Sequence, residues 1–282
     1  MKKLIALDMD GTLLTDAKTI SPENKQAIKD AQAAGHTVMI CSGRPHVSLK
    51  AFLEEAGFGD LPISASNGTI TIVDEKVINQ VTMDKVVAEK VFAWLISNEF
   101  PFNLYTNQGV FCHSMFFDWA WQAAKLRPDF EERKSEFERI EDYFKKTAET
   151  YFDKWEELPT DLGIFKFFVL TSLPTRKVML QNFAQTVTQI TYTSSFTDNV
   201  EISDVNGHKG AGITAVANHF GIPIENAIAM GDNFNDLGML KVAGLSVAMG
   251  NAEPEIKATA DFVTLTNDEH GVAHAIQKYV LK

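Results

Sequence analysis

Residues 3–12 read KLIALDMDGT, and the predicted fold extends outward from them. Leu4 to Leu7 form an unbroken apolar run, which predicts a short strand buried on both faces of a parallel sheet. Asp8 and Asp10 follow at the carboxyl end of that strand, where open α/β sheets bind their ligands. Two carboxylates this close repel each other unless a proton or a cation neutralises them, and Mg²⁺ prefers such oxygens. The stretch therefore predicts a Mg²⁺ site or, taken alone, an exposed acidic turn.

Length and charge limit the classes of protein to which this chain can belong. Its 282 residues and 45% hydrophobic content suit one large or two ordinary domains with real cores. The formal net charge is −11, and the sequence has no basic stripe to contact a phosphate backbone. We therefore expect no nucleic-acid partner and no membrane partner. A small anionic substrate is compatible with this charge, because a metal ion and one lysine can reverse the local field.

Cysteine use and the amino terminus predict a cytoplasmic protein. Cys41 and Cys112 lie far apart in apolar segments, which favours buried thiols in a reducing compartment. The first apolar run ends at Asp8, too early for the core of a signal peptide, and no later stretch is long enough to span a membrane. We expect a monomer or a weak homodimer.

The spacing of strands and helices predicts a core interrupted by an insertion. Up to residue 68 the chain alternates short apolar strands with helices, and it does so again from about Val200. That alternation is typical of a parallel sheet covered by helices. We predict an α/β protein with a Rossmann-like parallel-sheet core, residues 1–83 and 194–282, and an inserted α+β domain, residues 84–193.

The pattern changes after residue 68. The expected elements are, in chain order, a hairpin at 69–81, a helix that Thr82 can cap, a hairpin at 102–113, a charged helical region from 115 to about 155, a strand at 164–170 and a helix opened by Pro174. The many aromatic side chains of this segment are expected to form a core rather than a ligand site.

Polar side chains follow three of the predicted core strands. Asp8 and Asp10 follow the first strand, Ser42 the second, and Asp232 a strand at residues 227–230. Because parallel strands end at the same edge of a sheet, we expect these side chains to meet. The acidic loop that begins with Asp232 can then complete a Mg²⁺ shell begun by Asp8.

Further residues near these strand ends suit a bound phosphate. Thr12, Ser42 and the Gly43 amide can donate hydrogen bonds to phosphate oxygens. Lys209 is predicted at a helix N-terminus, where the helix macrodipole disfavours a cation. A residue placed against its local preference is a candidate for function, here to balance phosphate charge. Taken alone, Lys209 would be interpreted as an ordinary exposed lysine.

Four short motifs together resemble those of the haloacid dehalogenase superfamily. They are DMDGT at residues 8–12, SGRP at 42–45, KG at 209–210 and GDNFND at 231–236. Their order, and the long insertion between the second and the third, are similar to the Cof-type branch, the sugar-phosphatase-like hydrolases of subfamily IIB. The resemblance covers the whole chain and implies a Rossmann-like core with an inserted cap domain of type C2B.

The resemblance implies a role for each matching residue. Asp8 would be the nucleophile, and Asp10 the general acid and base. Mg²⁺ would be held by Asp8, by the carbonyl or carboxylate of Asp10 and by Asp232, with Asp236 and Asn233 as supporting residues. The phosphate would be bound, beside the hydroxyl of Thr12, by the Met9 backbone amide and by Ser42, Gly43, Lys209 and Asn235.

The chemistry of these residues fits hydrolysis of phosphate esters. A carboxylate that attacks phosphorus forms an aspartyl-phosphate and divides one difficult displacement into two easier ones. Mg²⁺ and Lys209 would neutralise the phosphoryl oxygens, and Asp10 would protonate the leaving alkoxide. Asp10 also argues against carbon–halogen chemistry, since a leaving halide needs no proton. We expect a Mg²⁺-dependent phosphatase for small phosphorylated metabolites, with sugar phosphates as the main candidates.

Two other functions remain open at this point. A phosphomutase would share the nucleophile and the acid, and would return the phosphoryl group to substrate rather than to water. A ligand-sensing protein could keep the same fold without catalysis. The complete set of Asp8, Asp10, Lys209 and Asp232 disfavours the sensor, because binding alone needs no nucleophile.

Overall fold

The computed structural model describes residues 1–147, 150–195 and 197–281 of the chain. It divides into two compact units, one formed by Met1–Gln80 with Asn206–Lys282 and the other by Val81–Val205. The second unit is therefore an insertion within the sequence of the first.

The elements follow each other along the chain in three groups. The first group is β1 (Leu4–Asp8), α1 (Pro22–Ala33), β2 (Thr37–Cys41), α2 (His46–Ala56), β3 (Ile63–Ala65), β4 (Ile70–Val73) and β5 (Lys76–Gln80). The second unit contributes α3 (Lys85–Ser97), β6 (Phe102–Thr106), β7 (Gly109–His113), α4 (Phe116–Lys125), α5 (Phe130–Thr147), β8 (Thr150–Phe152), β9 (Ile164–Leu170), α6 (Pro174–Gln185), β10 (Ile190–Thr193) and β11 (Asn199–Asp204). The chain then returns to the first unit with α7 (Lys209–His219), β12 (Ala227–Gly231), α8 (Leu237–Val242), β13 (Leu245–Ala248), α9 (Pro254–Thr259), β14 (Phe262–Val263) and α10 (Gly271–Tyr279).

The first unit is built on a sheet with β1 near its middle. The strand order is β14-β13-β12-β1-β2-β3-β4-β5, parallel from β14 to β3 and antiparallel from β3 to β5. All residues of β1 are buried, and the strand pairs with β12 on one side and β2 on the other. The predicted α/β class with a Rossmann-like parallel sheet is confirmed.

Local sequence signals account for the helices of this unit, as α1 illustrates. Ser21 Oγ accepts a hydrogen bond from the Asn24 amide, and Pro22 takes the first helical position, where its missing N–H costs nothing. The helix buries one stripe of side chains, formed by Asn24, Ala27, Ile28 and Ala31. Spacing of three and four residues therefore sets the face that packs inward.

The second unit has its own sheet and its own cores. Among the described strands the order is β10-β11-β9-β6-β7-β8, antiparallel except for the parallel pair of β7 and β8. One sheet face, with Phe102, Phe167 and Ile202, packs against α3 and α6. The opposite face, with Tyr105 and Phe168, packs against α4 and α5. The aromatic side chains therefore form two cores, and β9 is buried along its whole length because both of its faces are covered.

The boundary after the insertion differs from the prediction. The return to the core was expected at residue 194, whereas the second unit extends to Val205. The reason is β11, which pairs with β9 on one side and β10 on the other and so belongs to the second sheet. The boundary before the insertion also differs, since the first part of the core was predicted to end at residue 83 and ends at Gln80.

Two elements of the second unit also differ from the prediction. The helix expected after Thr82 begins at Lys85, because Asp84 is its cap and accepts hydrogen bonds from the amides of Val86 and Val87. The region from 115 to about 155, expected to be helical, also contains β8. That strand spans only three residues, and Tyr151 in it is exposed, so the sequence carries little strand signal there.

Neither cysteine is linked in a disulfide bond. Cys41 lies in β2 and Cys112 in β7, and both side chains are buried, as predicted. Burial raises the pKa of each thiol to about 12, so both stay protonated at neutral pH. Of the helices that the structure describes, none is both long and apolar enough to cross a lipid bilayer.

Candidate active site

The turn after β1 brings the first motif to the edge of the sheet. Asp8 ends β1, and the backbone then folds back so that the Leu14 amide donates to the Met9 carbonyl at 2.9 Å. Gly11 has a φ of +85°, and a β-carbon at this position would collide with the carboxylate of Asp232. Glycine is therefore required for the first motif to approach the fourth so closely.

Lys209 is a buried cation in contact with the first motif. It is the first residue of α7 and has no exposed surface, and its Nζ lies 2.5 Å from one carboxylate oxygen of Asp8 and from one of Asp236. Burial lowers the pKa of Lys209, but the two carboxylates outweigh burial and raise that pKa above its ordinary value. The amine therefore stays charged at a helix N-terminus, where the macrodipole alone would disfavour it.

Three carboxylates lie close enough together to bind one cation. Asp8, Asp232 and Asp236 each place one oxygen within 4.8 Å of the others. Burial and the charge of Asp236 raise the pKa of Asp8, and the same two causes raise the pKa of Asp232 to about 6. Both shifts show that burial, and then neighbouring negative charge, disfavour the ionised carboxylates, and a divalent cation would offset this. Clustered carboxylate oxygens of this kind fit a hard cation such as Mg²⁺.

Asp236 organises the loop that follows β12. Its Oδ2 accepts hydrogen bonds from the amides of Asp232 at 2.9 Å and Asn233 at 3.0 Å, while Oδ1 contacts Lys209. A β-carbon on Gly231 would collide with the Asp236 side chain, so the close packing of this loop depends on glycine. Asp236 is fully buried, and it therefore both shapes the loop and balances the lysine.

Thr12 contacts a carboxylate of the fourth motif, and its predicted contact with phosphate stays a prediction. It was expected to donate to phosphate, whereas its Oγ1 lies 2.8 Å from Oδ1 of Asp232 and donates to it. The hydroxyl has a single proton, so this hydrogen bond uses its donor capacity. The bond lowers the pKa of Asp232 against the stronger effects of burial and Asp236. In this structure Thr12 orients a candidate metal ligand.

The Asp10 carboxylate is paired with two cations. Arg44 donates from Nε to Oδ2 and from a terminal nitrogen to Oδ1, both at 2.9 Å, and Lys18 Nζ lies 3.1 Å from Oδ1. Burial raises the pKa of Asp10, but the bonds and charges of Arg44 and Lys18 outweigh it, so the pKa lies below its usual value. Among the described residues, the acidic group that could hold a metal ion does not include this carboxylate. The predicted metal contact of Asp10, through its carbonyl or its carboxylate, stays a prediction.

The second and fourth motifs meet through a residue outside both. Asn235 Nδ2 donates to Oδ1 of Asn67 at 3.2 Å, and a β-carbon on Gly43 would lie 3.0 Å from the same oxygen. The Asn67 amide donates to the Ser42 carbonyl, and Ser42 Oγ accepts from the Arg44 amide at 3.2 Å. The predicted phosphate-binding residues of these two motifs therefore surround Asn67.

Sequence reasoning missed Asn67 and one further asparagine near the first motif. Asn67 lies outside the four motifs, although an Asn-Gly pair after a strand signals left-handed backbone. Asn251 Nδ2 donates to the Gly11 carbonyl at 2.8 Å, a contact across 240 positions that no local pattern could indicate. Asn233, predicted as a supporting residue, accepts from the Phe234 amide at 2.7 Å and so stabilises the loop of the fourth motif.

Comparison with known proteins identifies the family. The model of the haloacid dehalogenase-like hydrolases matches residues 5–276, which include all four motifs. The chain belongs to this family. A Bacillus subtilis relative named 5-amino-6-(5-phospho-D-ribitylamino)uracil phosphatase YwtE is 35% identical, over 98% of this chain and 97% of its own. Other curated relatives of this hydrolase are also named phosphatases, which confirms the predicted enzyme class of phosphoric monoester hydrolase.

Solved structures show the same architecture. A haloacid dehalogenase-like hydrolase from B. subtilis superposes with a TM-score of 0.84 at 29% identity and covers 99% of this chain and 100% of its own. The subclass IIB sugar phosphatase BT4131 has the same fold, with a TM-score of 0.81 at 21% identity and full coverage of both chains. The predicted membership of the haloacid dehalogenase superfamily and the predicted fold are therefore confirmed for this hydrolase, whereas the Cof-type branch and subfamily IIB stay a prediction.

Proposed function

We propose that this hydrolase is a Mg²⁺-dependent phosphatase of small phosphorylated metabolites, with sugar phosphates as the expected substrates and an aspartyl-phosphate on Asp8 as the intermediate. The observation that carries the proposal is the contact of a buried carboxylate, Asp8, with a buried cation, Lys209, beside two further carboxylates. Lys209 and a cation at those carboxylates would both attract phosphate oxygens, and Asp8 contacts Lys209 and belongs to the same acidic group.

The proposed reaction has two displacements at phosphorus. In the first, an oxygen of Asp8 bonds to phosphorus, the bond from phosphorus to the substrate oxygen breaks, and Asp10 gives a proton to that oxygen. In the second, water attacks phosphorus, its proton passes to Asp10, and the bond to Asp8 breaks to release phosphate. Bound Mg²⁺ would supply charge neutralisation at the phosphoryl oxygens. Lys209 supplies a second positive charge that the protein holds in place through Asp236.

Before substrate binds, Asp10 is in its ionised form. Its pairing with Arg44 and Lys18 favours the carboxylate, which is the form needed to accept a proton from water. To act first as an acid it must take up a proton from solvent before the first displacement, and the attacking water of the second displacement then returns a proton to it. The general acid and base role predicted for Asp10 therefore depends on how these two cations respond to substrate.

Asp10→Asn should affect substrates in proportion to their need for a proton. We expect alkyl phosphates to be hydrolysed about 10²–10³-fold more slowly, and aryl phosphates to lose much less, because general acid catalysis matters most for poor leaving groups. Steady-state rates on a matched alkyl and aryl series would measure this difference. Asp30→Asn, on the surface of α1, is the control and should change neither rate. Equal losses on both substrate classes would contradict the acid role.

Activity should require Mg²⁺, and EDTA should remove it reversibly. Asp232→Ala should raise the Mg²⁺ concentration for half-maximal activity by more than about 100-fold, because it removes a direct ligand. Thr12→Val removes only the hydrogen bond to Asp232, and we expect an increase of about tenfold. A Mg²⁺ titration that both substitutions leave unchanged would show that this acidic group is not the metal site.

The proposed activity can be tested by measuring released phosphate over a panel of phosphorylated metabolites with Mg²⁺. The panel should contain hexose and pentose phosphates together with the phosphorylated ribitylamino-uracil for which the relative YwtE is named. Release of phosphate from sugar phosphates supports the proposal. An isomerised sugar phosphate without released phosphate would instead indicate the phosphomutase, which the names of the relatives do not favour.

The cellular setting stays a prediction. A net charge of −11 supports a small substrate over nucleic acid or an anionic membrane surface. We propose that the protein is cytoplasmic, since both of its buried cysteines are free thiols, and that it is a monomer or a weak homodimer. Sedimentation at several protein concentrations would test the oligomeric state.

A further inference from the structure

The segment from Ser66 to Gly68, directly after β3, has an unusual backbone. The φ angles of Ser66, Asn67 and Gly68 are +48°, +61° and +94°, and all three residues are buried. Residues other than glycine rarely adopt such angles, asparagine more readily than serine, and these positions cluster at functional sites. Only glycine fits at position 68, because a β-carbon there would collide with the carbonyl of His208.

Backbone hydrogen bonds attach this segment to the second motif. The Ser66 amide donates to the Arg44 carbonyl at 2.9 Å, and the Asn67 amide donates to the Ser42 carbonyl at 3.0 Å. Since Asn67 is attached in this way at its backbone, the position of its side chain is fixed relative to the loop of residues 42–45. The mechanism described above uses none of these contacts.

The Asn67 side chain connects two predicted phosphate-binding residues. It is only 4% exposed, and its Oδ1 accepts the hydrogen bond from Nδ2 of Asn235. A β-carbon on Gly43 would come within 3.0 Å of the same oxygen, so the carboxamide of Asn67 is packed between the two loops. A rigidly held acceptor of this kind determines how its donor can be oriented.

The orientation of Asn235 matters because the two ends of its carboxamide have opposite chemistry. The nitrogen carries two N–H donors, and the oxygen only accepts. With one N–H directed at Asn67, the nitrogen end is fixed and the second N–H is available to a phosphate oxygen. A carboxamide turned by half a revolution would present an oxygen to the phosphate and repel it.

We propose that Asn67 is a positioning residue of the phosphate site, which acts through Asn235 by fixing the donor end of its carboxamide. This inference rests on the proposed function, in which Asn235 binds the phosphoryl group. It concerns a residue that lies outside the four motifs and touches the phosphate only through another side chain.

A double-mutant cycle on Asn67 and Asn235 tests the inference. Asn67→Gly removes the carboxamide but suits the left-handed backbone, and Asn235→Ala removes the donor. In the Mg²⁺-loaded protein, each single variant should weaken binding of inorganic phosphate, measured by calorimetry, by about tenfold, the value of one hydrogen bond to a charged group. KM for substrate should rise similarly, with kcat less affected. The double variant should bind phosphate no more weakly than Asn235→Ala alone.

Asp74→Gly is the matched control, since Asp74 also has a positive φ, +46°, and lies in the exposed β4–β5 turn. This substitution should leave phosphate affinity, KM and kcat unchanged. Independent losses that multiply to about 100-fold in the double variant would overturn the inference, as would unchanged phosphate binding in Asn67→Gly. If the unmodified protein binds phosphate but hydrolyses no phosphate ester, the proposed function fails, and the calorimetric cycle still decides the role of Asn67.

Discussion

Asp8→Asn is expected to lower turnover by about 10⁵-fold or more while the fold stays intact. An amide oxygen is a far weaker nucleophile than a carboxylate, and the same change also removes a candidate metal ligand. The fold should survive because asparagine has the same shape and Lys209 keeps its contact with Asp236. Turnover, circular dichroism and the intact mass of acid-quenched protein would measure the three effects. A phosphorylated species should appear only in the unmodified protein.

The loss of the nucleophile can be separated from the loss of the metal ligand. Excess Mg²⁺ should restore part of the activity of Asp232→Ala and none of that of Asp8→Asn. Asp261→Asn is the matched control, because Asp261 accepts hydrogen bonds from Ser246 on the far strands of the sheet and should tolerate the change. Ordinary turnover by a well-folded Asp8→Asn variant would rule out covalent catalysis by this residue.

The core could be predicted because its signals are local. An apolar run marks β1, and a hydroxyl followed by proline marks the start of α1, so neither depends on distant residues. Carboxylates directly after a buried parallel strand also imply where they lie, since the sheet fixes the position of every strand end. The meeting of Asp8 with Asp232 therefore followed from topology, whereas the placement of Lys209 beside them rested on the resemblance of the four motifs.

The limits of the insertion could not be predicted in the same way. The apolar pattern of β11 is equally compatible with either sheet, and only its pairing with β9 and β10 assigns it to the second unit. Strand pairing is a long-range property that hydrophobic spacing does not encode. The strand β8 was missed for a related reason, as three residues are too few to establish alternation.

The hydrogen-bond partners of side chains within the site could also not be predicted from the sequence. Thr12 and Asp232 are separated by 220 positions, and Asn67 and Asn235 by 168. The motifs indicated which residues would lie close together. Within such a cluster, however, a hydroxyl or an amide has several possible hydrogen-bond acceptors. Packing decides among those acceptors. Position 11 is an example, because any β-carbon there would collide with the side chain of Asp232.

Lys209→Met should both abolish useful activity and destabilise the protein in the absence of metal. Methionine has a similar length without the charge, and it leaves Asp8 and Asp236 buried without their shared cation. Removing one partner of a buried ion pair costs about 3–5 kcal/mol in the free energy of unfolding. Turnover should fall by at least about 10²–10³-fold, the loss typical of one preorganised charge-stabilising group. Denaturant unfolding in EDTA and steady-state kinetics would measure the two effects.

Mg²⁺ should stabilise Lys209→Met more than it stabilises the unmodified protein. A cation bound at Asp8, Asp232 and Asp236 would replace part of the lost positive charge, so its binding free energy adds to the stability of the variant. The activity should not return with the stability, because phosphate would still lack the lysine. If the methionine variant does not fold, Lys209→Gln, which can still donate to a carboxylate, serves for the same comparison.

Lys166→Met is the matched control for this effect. Lys166 is also fully buried, and its Nζ pairs with Glu201 at 3.0 Å in the second unit. Its loss should cost stability of the same order, but Mg²⁺ should restore none of it, because the acidic group Asp8, Asp232 and Asp236 lies in the first unit. Equal responses of the two variants to Mg²⁺ would show that the metal does not bind beside Lys209. A stable Lys209→Met protein in EDTA would show instead that the buried carboxylates are protonated and need no cation, as the raised pKa of Asp8 allows.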